Sequence, residues 1–203
     1  MKFVFCTGHG GIDPSTGKYV TAGKRMVKDG ITFYEGVNNR RVAKAIIEAC
    51  KAKGLDAELL FDHWKDVSLG TRVQLANDLY FKNNKKVLLI SVHSDAMGNG
   101  KDWHTAKGIT TFIANNASRK SQEYARIINN ELICEMFDLT TNRGVRKAGF
   151  YIIQESACPA MLLELGFHTN KDEVQKMLTD EWVNKVASAI STACFEIDKI
   201  ERN

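Results

Sequence analysis

The sequence lacks several features that would assign a protein to a broad class. None of its apolar runs is long enough to cross a bilayer, and no secretory signal follows Met1. The five cysteines are widely spaced and form no Cys-x-x-Cys pair, so we expect reduced, mostly buried thiols. The net charge of +4 comes from scattered basic residues, which favours neither nucleic acid nor a membrane surface as a partner. We therefore expect a protein that is made in the cytoplasm and does not leave it by the usual secretory route.

The composition is that of an ordinary globular protein, with 203 residues of which 44% are hydrophobic and 26% charged. This length is enough for one sizeable core, and no repeat, low-complexity tract or linker divides it. Strand-like and helix-like segments alternate along the chain. The alternation predicts a single α/β domain over residues 1–203 with a largely parallel sheet.

The predicted elements follow from apolar periodicity and from capping residues. Residues 12–34 are predicted to form a long functional loop with room for a short hairpin. Residues 143–146 are predicted to form a turn. The predicted strands are 2–6, 56–61, 87–95, 108–113, 150–153 and the run from 160 that carries Glu164. The predicted helices begin at Glu35, Ser68, Ser118, Asn170 and Thr179.

Residues 87–95 are the apolar run around which the prediction is organised. The run ends in His93, and side chains at the carboxyl ends of buried parallel strands face the crevice where ligands bind. Two other predicted strands end in comparable groups, namely His9 in a glycine-rich turn and Glu164 in an apolar segment. If the three strands are parallel neighbours, two histidines and a carboxylate converge.

Such a group of side chains has the donors that a catalytic zinc ion uses. Zinc accepts imidazole nitrogen and carboxylate oxygen, and catalytic sites use three protein ligands, so His9, Glu35 and His93 make a suitable set. Glu164 would then take a proton from the attacking water and deliver it to the leaving amine. Each residue alone has a structural explanation, since strand-end histidines are usually satisfied polar groups and Glu35 suits a helix start. Glu164 is more informative, because a carboxylate in a buried apolar strand is costly unless it is paired or functional.

In their order along the chain, the motifs resemble the zinc-dependent N-acetylmuramoyl-L-alanine amidases of the amidase 3 type, found in bacterial cell-wall hydrolases and phage endolysins. The resemblance covers nearly the whole chain. It departs from the family at Cys6 and Thr7, where an Asp-Pro pair is usual. The matching segments are 8–11 (Gly-His-Gly-Gly), Glu35, 68–77 (Ser-Leu-Gly-Thr-Arg-Val-Gln-Leu-Ala-Asn), 91–96 (Ser-Val-His-Ser-Asp-Ala), 143–145 (Arg-Gly-Val) and 159–167 (Pro-Ala-Met-Leu-Leu-Glu-Leu-Gly-Phe).

The resemblance implies a mixed, mainly parallel six-stranded sheet with helices on both faces. It implies that His9, Glu35 and His93 bind one zinc ion and that Glu164 is the catalytic carboxylate. The implied substrate is peptidoglycan, cleaved at the amide between the lactyl group of N-acetylmuramic acid and L-alanine. The absence of a signal peptide favours a phage or prophage endolysin that reaches the wall after holin-type release. No separate wall-binding domain is expected.

Two alternatives to the amidase remain open. A zinc peptidase acting within the stem peptide would use a related metal site, and a non-catalytic wall-binding module would keep the fold without turnover. Further side chains are weaker predictions. His104 is a candidate substrate contact, together with Trp103 and Tyr151, whereas His63 and His168 are expected to be surface groups. Arg72 and Asn77 are expected to have structural roles, and Phe112 is expected to pack in the core.

Overall fold

Eight strands and six helices make up the computed structural model, which describes residues 1–202. The strands are β1 (Lys2–Thr7), β2 (Arg25–Lys28), β3 (Ile31–Tyr34), β4 (Asp56–Leu59), β5 (Val87–Asp95), β6 (Ile109–Ile113), β7 (Asn142–Lys147) and β8 (Ala160–Phe167). The helices are α1 (Glu35–Ala52), α2 (Leu69–Lys82), α3 (Arg119–Met136), α4 (Tyr151–Gln154), α5 (Lys171–Met177) and α6 (Asp180–Arg202). No helix within residues 1–202 combines the length and the apolar character needed to span a membrane.

Six of the strands form one sheet in the order β4-β1-β5-β8-β6-β7, and β2 pairs with β3 as a separate hairpin. The pairs β4-β1, β1-β5, β5-β8 and β6-β7 are parallel, whereas β6 and β8 are antiparallel. The predicted fold class, a single α/β domain with a mixed and mainly parallel six-stranded sheet, is therefore confirmed. The hairpin falls inside the segment predicted as a long loop.

Each face of the sheet is covered by helices because successive strand side chains point to opposite sides. In β1, Phe3 and Phe5 face a core shared with α1, α3 and α6, whereas Val4 and Cys6 face a smaller core shared with α2 and α4. The largest fully buried side chain in the described chain is Trp182 of α6, in the first of these cores. The covered strands explain the continuous apolar run in β5.

Four of the predicted helix starts carry side-chain caps, among them Thr179, whose hydroxyl accepts from the Trp182 N–H at 3.2 Å. Ser68 accepts a hydrogen bond from the Thr71 backbone N–H at 3.2 Å. Ser118 caps α3 through the Ser121 N–H at 3.1 Å, and Asn170 caps α5 in the same way. Short polar side chains at these positions satisfy backbone donors that have no partner inside the helix.

Two predictions of local structure were wrong. The predicted turn at 143–146 lies within β7, which pairs with β6 at the edge of the sheet. The predicted strand at 150–153 is instead largely helix α4, whose Ile152 and Ile153 are buried against the smaller core. A short apolar run has the same pattern in a buried strand and in a helical turn, so tertiary packing decides between them.

Candidate metal and catalytic site

The site lies where the carboxyl ends of β1, β5 and β8 meet. These strands are parallel neighbours, as predicted, with Thr7 opposite Val92 and His93 opposite Glu164. Partners in register on neighbouring strands point to the same face, so the His93 and Glu164 side chains share one face of the sheet. His9 follows β1 directly and joins them at this edge.

His9 is held in an unusual backbone conformation by the turn that follows β1. Its φ of +63° lies in the left-handed region, which costs a residue with a side chain of order 1–3 kcal/mol unless its surroundings impose it. The Gly8 N–H donates to the Val92 carbonyl at 2.9 Å, and the Arg40 guanidinium donates to the His9 carbonyl at 2.9 Å. Both contacts hold the backbone of the turn in place and so orient the His9 side chain.

Glu35 is the first residue of α1 and is 1% exposed. Its backbone N–H donates to the Lys24 carbonyl at 3.0 Å. Its Oε1 atom lies 3.3 Å from His9 Nε2 and 3.2 Å from His93 Nδ1. Helix α1 therefore delivers a buried carboxylate to both imidazoles, and the helix dipole favours the negative charge at this end.

Residues 12–24, the long segment before the hairpin, have a structural role because they hydrogen-bond to the turn that carries His9 and to the start of α1. The Tyr19 hydroxyl accepts from the Gly36 N–H at 3.0 Å, so it caps α1 from outside the helix. The Thr21 hydroxyl accepts from the Gly10 N–H at 2.7 Å and donates to Asp66 at 2.6 Å. The segment thus contacts both the histidine turn and the start of α1.

The three side chains lie close enough together to hold one metal ion. One ligand atom from each of His9, Glu35 and His93 lies within 4.8 Å of the others. Zinc with ligand distances near 2.0–2.1 Å separates tetrahedral ligand atoms by about 3.4 Å, close to the observed 3.3 and 3.2 Å. The second Glu35 oxygen, Oε2, is buried with no hydrogen-bond partner among residues 1–202, as expected of a carboxylate arranged for a cation.

In this cluster, burial and charged neighbours shift the pKa values of Glu35 and His93 in opposite directions. Burial acts to raise the pKa of Glu35, but hydrogen bonds with His9 and His93 outweigh it and hold that pKa well below its usual range. Burial lowers the pKa of His93, although Glu35 acts in the opposite direction. An ionised carboxylate beside a neutral imidazole is the protonation state that metal binding requires.

Glu164 stands on β8, next to the strand that carries His93, with one oxygen unpaired. Its Oε2 atom is buried and has no hydrogen-bond partner in the described part of the chain. Burial raises the pKa of Glu164 well above its usual value, and the negative charges of Glu35 and Asp95 add to the effect, against a smaller opposing effect of Lys24. A carboxyl group whose pKa is raised in this way is suited to general acid–base chemistry.

Comparison with known proteins bears on this arrangement of residues. Residues 4–195 match the Amidase_3 family, which is described as N-acetylmuramoyl-L-alanine amidase. The chain belongs to this amidase family. The match includes every residue of the cluster described above.

Individual relatives agree with the family match. An uncharacterized cell wall amidase of Bacillus anthracis is 33% identical over 128 residues, which is 61% of this chain and 22% of that protein. The sporulation-specific N-acetylmuramoyl-L-alanine amidase of Bacillus subtilis is 25% identical over 189 residues, 92% of this chain and 64% of its own length. The chain therefore spans less than two thirds of either relative.

A solved structure supports the amidase fold over the whole chain. The crystal structure of an N-acetylmuramoyl-L-alanine amidase from Clostridium difficile 630 has a TM-score of 0.80 and 27% sequence identity. The alignment covers 98% of this chain and 97% of that one. The described residues thus form an amidase catalytic-domain fold.

A cavity of about 360 Å³ opens beside His9 and His93. Ser91 and Arg72 lie on its polar side, and Leu69 and Ile152 supply apolar wall. Its remaining lining residues are His9, Asp66, Val67, Ser68 and His93. The cavity extends from His9 and His93 toward the start of α2, and neither Glu35 nor Glu164 lines it.

The structure does not bring His104 into this cluster. His104 lines a different cavity together with Trp103, while the Trp103 Nε1–H donates to Asp29 at 2.8 Å. Tyr151 is 48% exposed, and Phe112 packs against the smaller core as predicted. The prediction that His104 contacts substrate therefore has no support from proximity to His9 and His93.

The prediction that His168 is a surface group was wrong, whereas His63 is exposed as expected. His168 is 2% exposed, its ring stacks on Phe33, and its Nδ1 lies 3.1 Å from the Ser94 hydroxyl. Phe33 comes from the hairpin, so a partner distant in sequence buries this histidine.

Structural roles for Arg72 and Asn77 agree with their contacts. The buried Arg72 guanidinium donates to the carbonyls of Thr7 and Val67, at 2.5 and 2.8 Å. Asn77 accepts from the Ala157 N–H at 2.8 Å, which ties α2 to the segment before β8. Sequence reasoning did not single out Ser91, although alternation along β5 places it on the same face as His93.

Proposed function

We propose that this chain is a zinc-dependent N-acetylmuramoyl-L-alanine amidase that hydrolyses the amide between the lactyl group of N-acetylmuramic acid and L-alanine in peptidoglycan. The observation that carries the proposal is the meeting of His9, Glu35 and His93 at one point, with Glu164 opposite His93 on the neighbouring strand. Membership of the amidase family supports the choice of bond.

The metal would be held by His9 Nε2, His93 Nδ1 and a Glu35 carboxylate oxygen. When bound, zinc polarises the carbonyl under attack and lowers the pKa of the attacking water. The turn at His9 and the start of α1 keep the three donors in place before the metal arrives. This preorganisation limits the conformational freedom that binding would otherwise remove.

Glu164 is the proposed general base and then general acid. Its carboxylate takes one proton from the attacking water while the water oxygen bonds to the lactyl carbonyl carbon. As the carbon–nitrogen bond breaks, Glu164 returns that proton to the nitrogen of L-alanine. The products are a free lactyl carboxylate and a stem peptide with a free amino terminus.

Digestion of purified cell walls tests this function. Wild-type protein should lower the turbidity of a wall suspension and release peptides with amino-terminal L-alanine, identified by mass spectrometry. Chelation and Glu164→Gln should each abolish release, and added zinc should restore only the chelated wild type. Activity that survives both changes rules out the mechanism.

The products also separate the alternatives. Intact muramoyl–alanine links with cleaved stem peptides would indicate a zinc peptidase instead. Wall binding without soluble products at any zinc concentration would indicate a binding module.

We further propose that the chain acts as a phage or prophage endolysin. Support comes from the endolysin of Bacillus phage SPP1, which is 24% identical over 119 residues. An endolysin of this kind accumulates in the cytoplasm and reaches peptidoglycan after a holin breaches the membrane. Expression in a susceptible bacterium should therefore cause lysis only when a holin is co-expressed. Lysis without membrane breach would contradict the proposed route.

A further inference from the structure

A line of hydrogen bonds connects a buried arginine to one of the candidate metal ligands. Arg72 Nη1 donates to Cys6 Sγ at 3.3 Å. Ser91 lies directly opposite Cys6 in the register of β1 and β5, and its hydroxyl acts to lower the pKa of the Cys6 thiol against the larger effect of burial. Ser91 Oγ in turn lies 3.1 Å from His93 Nε2. Cys6, Arg72 and Ser91 are all buried, with exposed fractions of 0%, 3% and 1%.

The arginine donates the first hydrogen bond of this line. A guanidinium can only donate hydrogen bonds, so Cys6 Sγ accepts from Arg72. The Ser91 hydroxyl can direct its single proton at the same sulfur, which is a weak acceptor. With that proton directed at sulfur, the lone pairs of Ser91 Oγ face His93 Nε2.

The orientation of the His93 ring makes this acceptor important. Its Nδ1 faces Glu35 Oε1 at 3.2 Å, on the side where His9 also approaches. Binding a cation through Nδ1 requires the ring proton to be on Nε2. A buried N–H without an acceptor is costly, and Ser91 Oγ is the acceptor in contact with it.

We infer that Ser91 is a positioning residue for His93, with Cys6 and Arg72 fixing the direction of its hydroxyl. Ser91 accepts the Nε2–H of His93 and keeps Nδ1 turned toward Glu35 and His9. The inference rests on the proposed metal site and assigns to Ser91 a role that it exerts through His93. Partners of this kind, which hold a ligating histidine through its other nitrogen, typically change metal affinity by about 10–100-fold when mutated.

The test is a comparison of zinc dissociation constants, measured by competition with a chromophoric chelator. Ser91→Ala should bind zinc about 10–100-fold more weakly than wild type. Ser91→Thr keeps the hydroxyl and should restore most of the affinity. Cys6→Ala should have a smaller effect, because Ser91 loses only the partner that directs its proton.

Ser94→Ala is the matched control. It removes a hydroxyl of the same size from the same strand, one that is also buried and bonded to a histidine, namely His168. If loss of a buried serine hydroxyl from β5 were enough to weaken zinc binding, both variants would lose affinity. We expect a loss in Ser91→Ala alone, with thermal unfolding of the two metal-free proteins changed by similar amounts.

A second readout does not depend on activity. In the zinc-loaded wild type, proton NMR should show a His93 Nε2–H that exchanges slowly with water, and Ser91→Ala should exchange it faster. If Ser91→Ala does not fold, Ser91→Cys, whose thiol is a weak acceptor, replaces it in both measurements. Unchanged zinc affinity and exchange in the serine variant would overturn the role of Ser91, whereas a wild type that binds no zinc would overturn the metal site itself.

Discussion

Replacing Gly8 by alanine should disable the site without unfolding the protein. A Cβ at residue 8 would lie 2.3 Å from His93 Cε1 and 2.4 Å from His93 Nδ1. Contacts between carbon atoms are normally no shorter than about 3.5 Å, so the imidazole would have to move by about 1.2 Å. The Gly8 backbone resists movement because its N–H donates to Val92 at 2.9 Å and its carbonyl accepts from Asn39 at 3.2 Å.

The expected magnitude follows from how closely metal ligands must be placed. Metal–ligand distances tolerate only about 0.2 Å of variation. A misplacement of about 1 Å can cost about 100-fold in rate, which is about 2.7 kcal/mol. We therefore expect Gly8→Ala to lower zinc affinity and wall hydrolysis by roughly that factor. The free energy of unfolding should change less, since the displaced His93 ring borders an open cavity.

Gly11→Ala is the control from the same turn. A Cβ there would lie 3.6 Å from Trp64 and 3.7 Å from Arg40 Nε, which are ordinary van der Waals contacts. Zinc competition, turbidity loss of walls and thermal unfolding should be measured on both variants. If Gly8→Ala stays folded and binds zinc as tightly as Gly11→Ala, the argument from ring displacement is refuted.

Three further predictions concern other parts of the chain. Gly36→Ala should lower the melting temperature, because its Cβ would lie 1.8 Å from the Gly10 carbonyl oxygen. Gly70→Ala, at the same position of α2, should leave the melting temperature unchanged, because its Cβ would have no atom within 4 Å. Equal melting temperatures for the two variants would contradict this. The raised pKa of Glu164 means that the metal-free protein loses stability as the pH rises above the ordinary value of 4.5. The free energy of unfolding of Glu164→Gln, measured in urea, should therefore increase relative to that of wild type as the pH approaches neutrality. A difference between the two that does not vary with pH would refute this. A thiol reagent should titrate one cysteine per native chain, the exposed Cys134, and five after denaturation. The other four thiols are buried, and burial raises the pKa of Cys158 to about 12. Rapid reaction of a second native thiol would count against the described packing.

The parts of the fold that could be predicted from sequence are those whose cause is local. The apolar run of β5 and the polar residues that follow it fixed the position of His93, and the same reasoning located His9 and Glu164. The starts of α2, α3 and α5 were predictable because Ser68, Ser118 and Asn170 cap the helices that follow them. The beginning of α1 at Glu35 was also predictable, which placed a carboxylate at the end of a helix.

The errors concern residues whose conformation depends on distant partners. Residues 142–147 become a strand because the free edge of β6 offers hydrogen bonds, not because of their own pattern. Residues 151–154 become a helix because they bury Ile152 and Ile153 against the smaller core. His168 is buried because Phe33, from the hairpin, covers its ring.

The sequence by itself determined the chemistry of the site, since only residue types and their order are needed to identify two imidazoles and two carboxylates at the ends of predicted elements. Only the tertiary structure decided their mutual distances, the left-handed backbone of His9 and the line from Arg72 to His93. The physical reason is that a ligand cluster is a set of distances between residues far apart in the chain. Those distances are set by strand register and helix docking, and both are properties of the packed molecule.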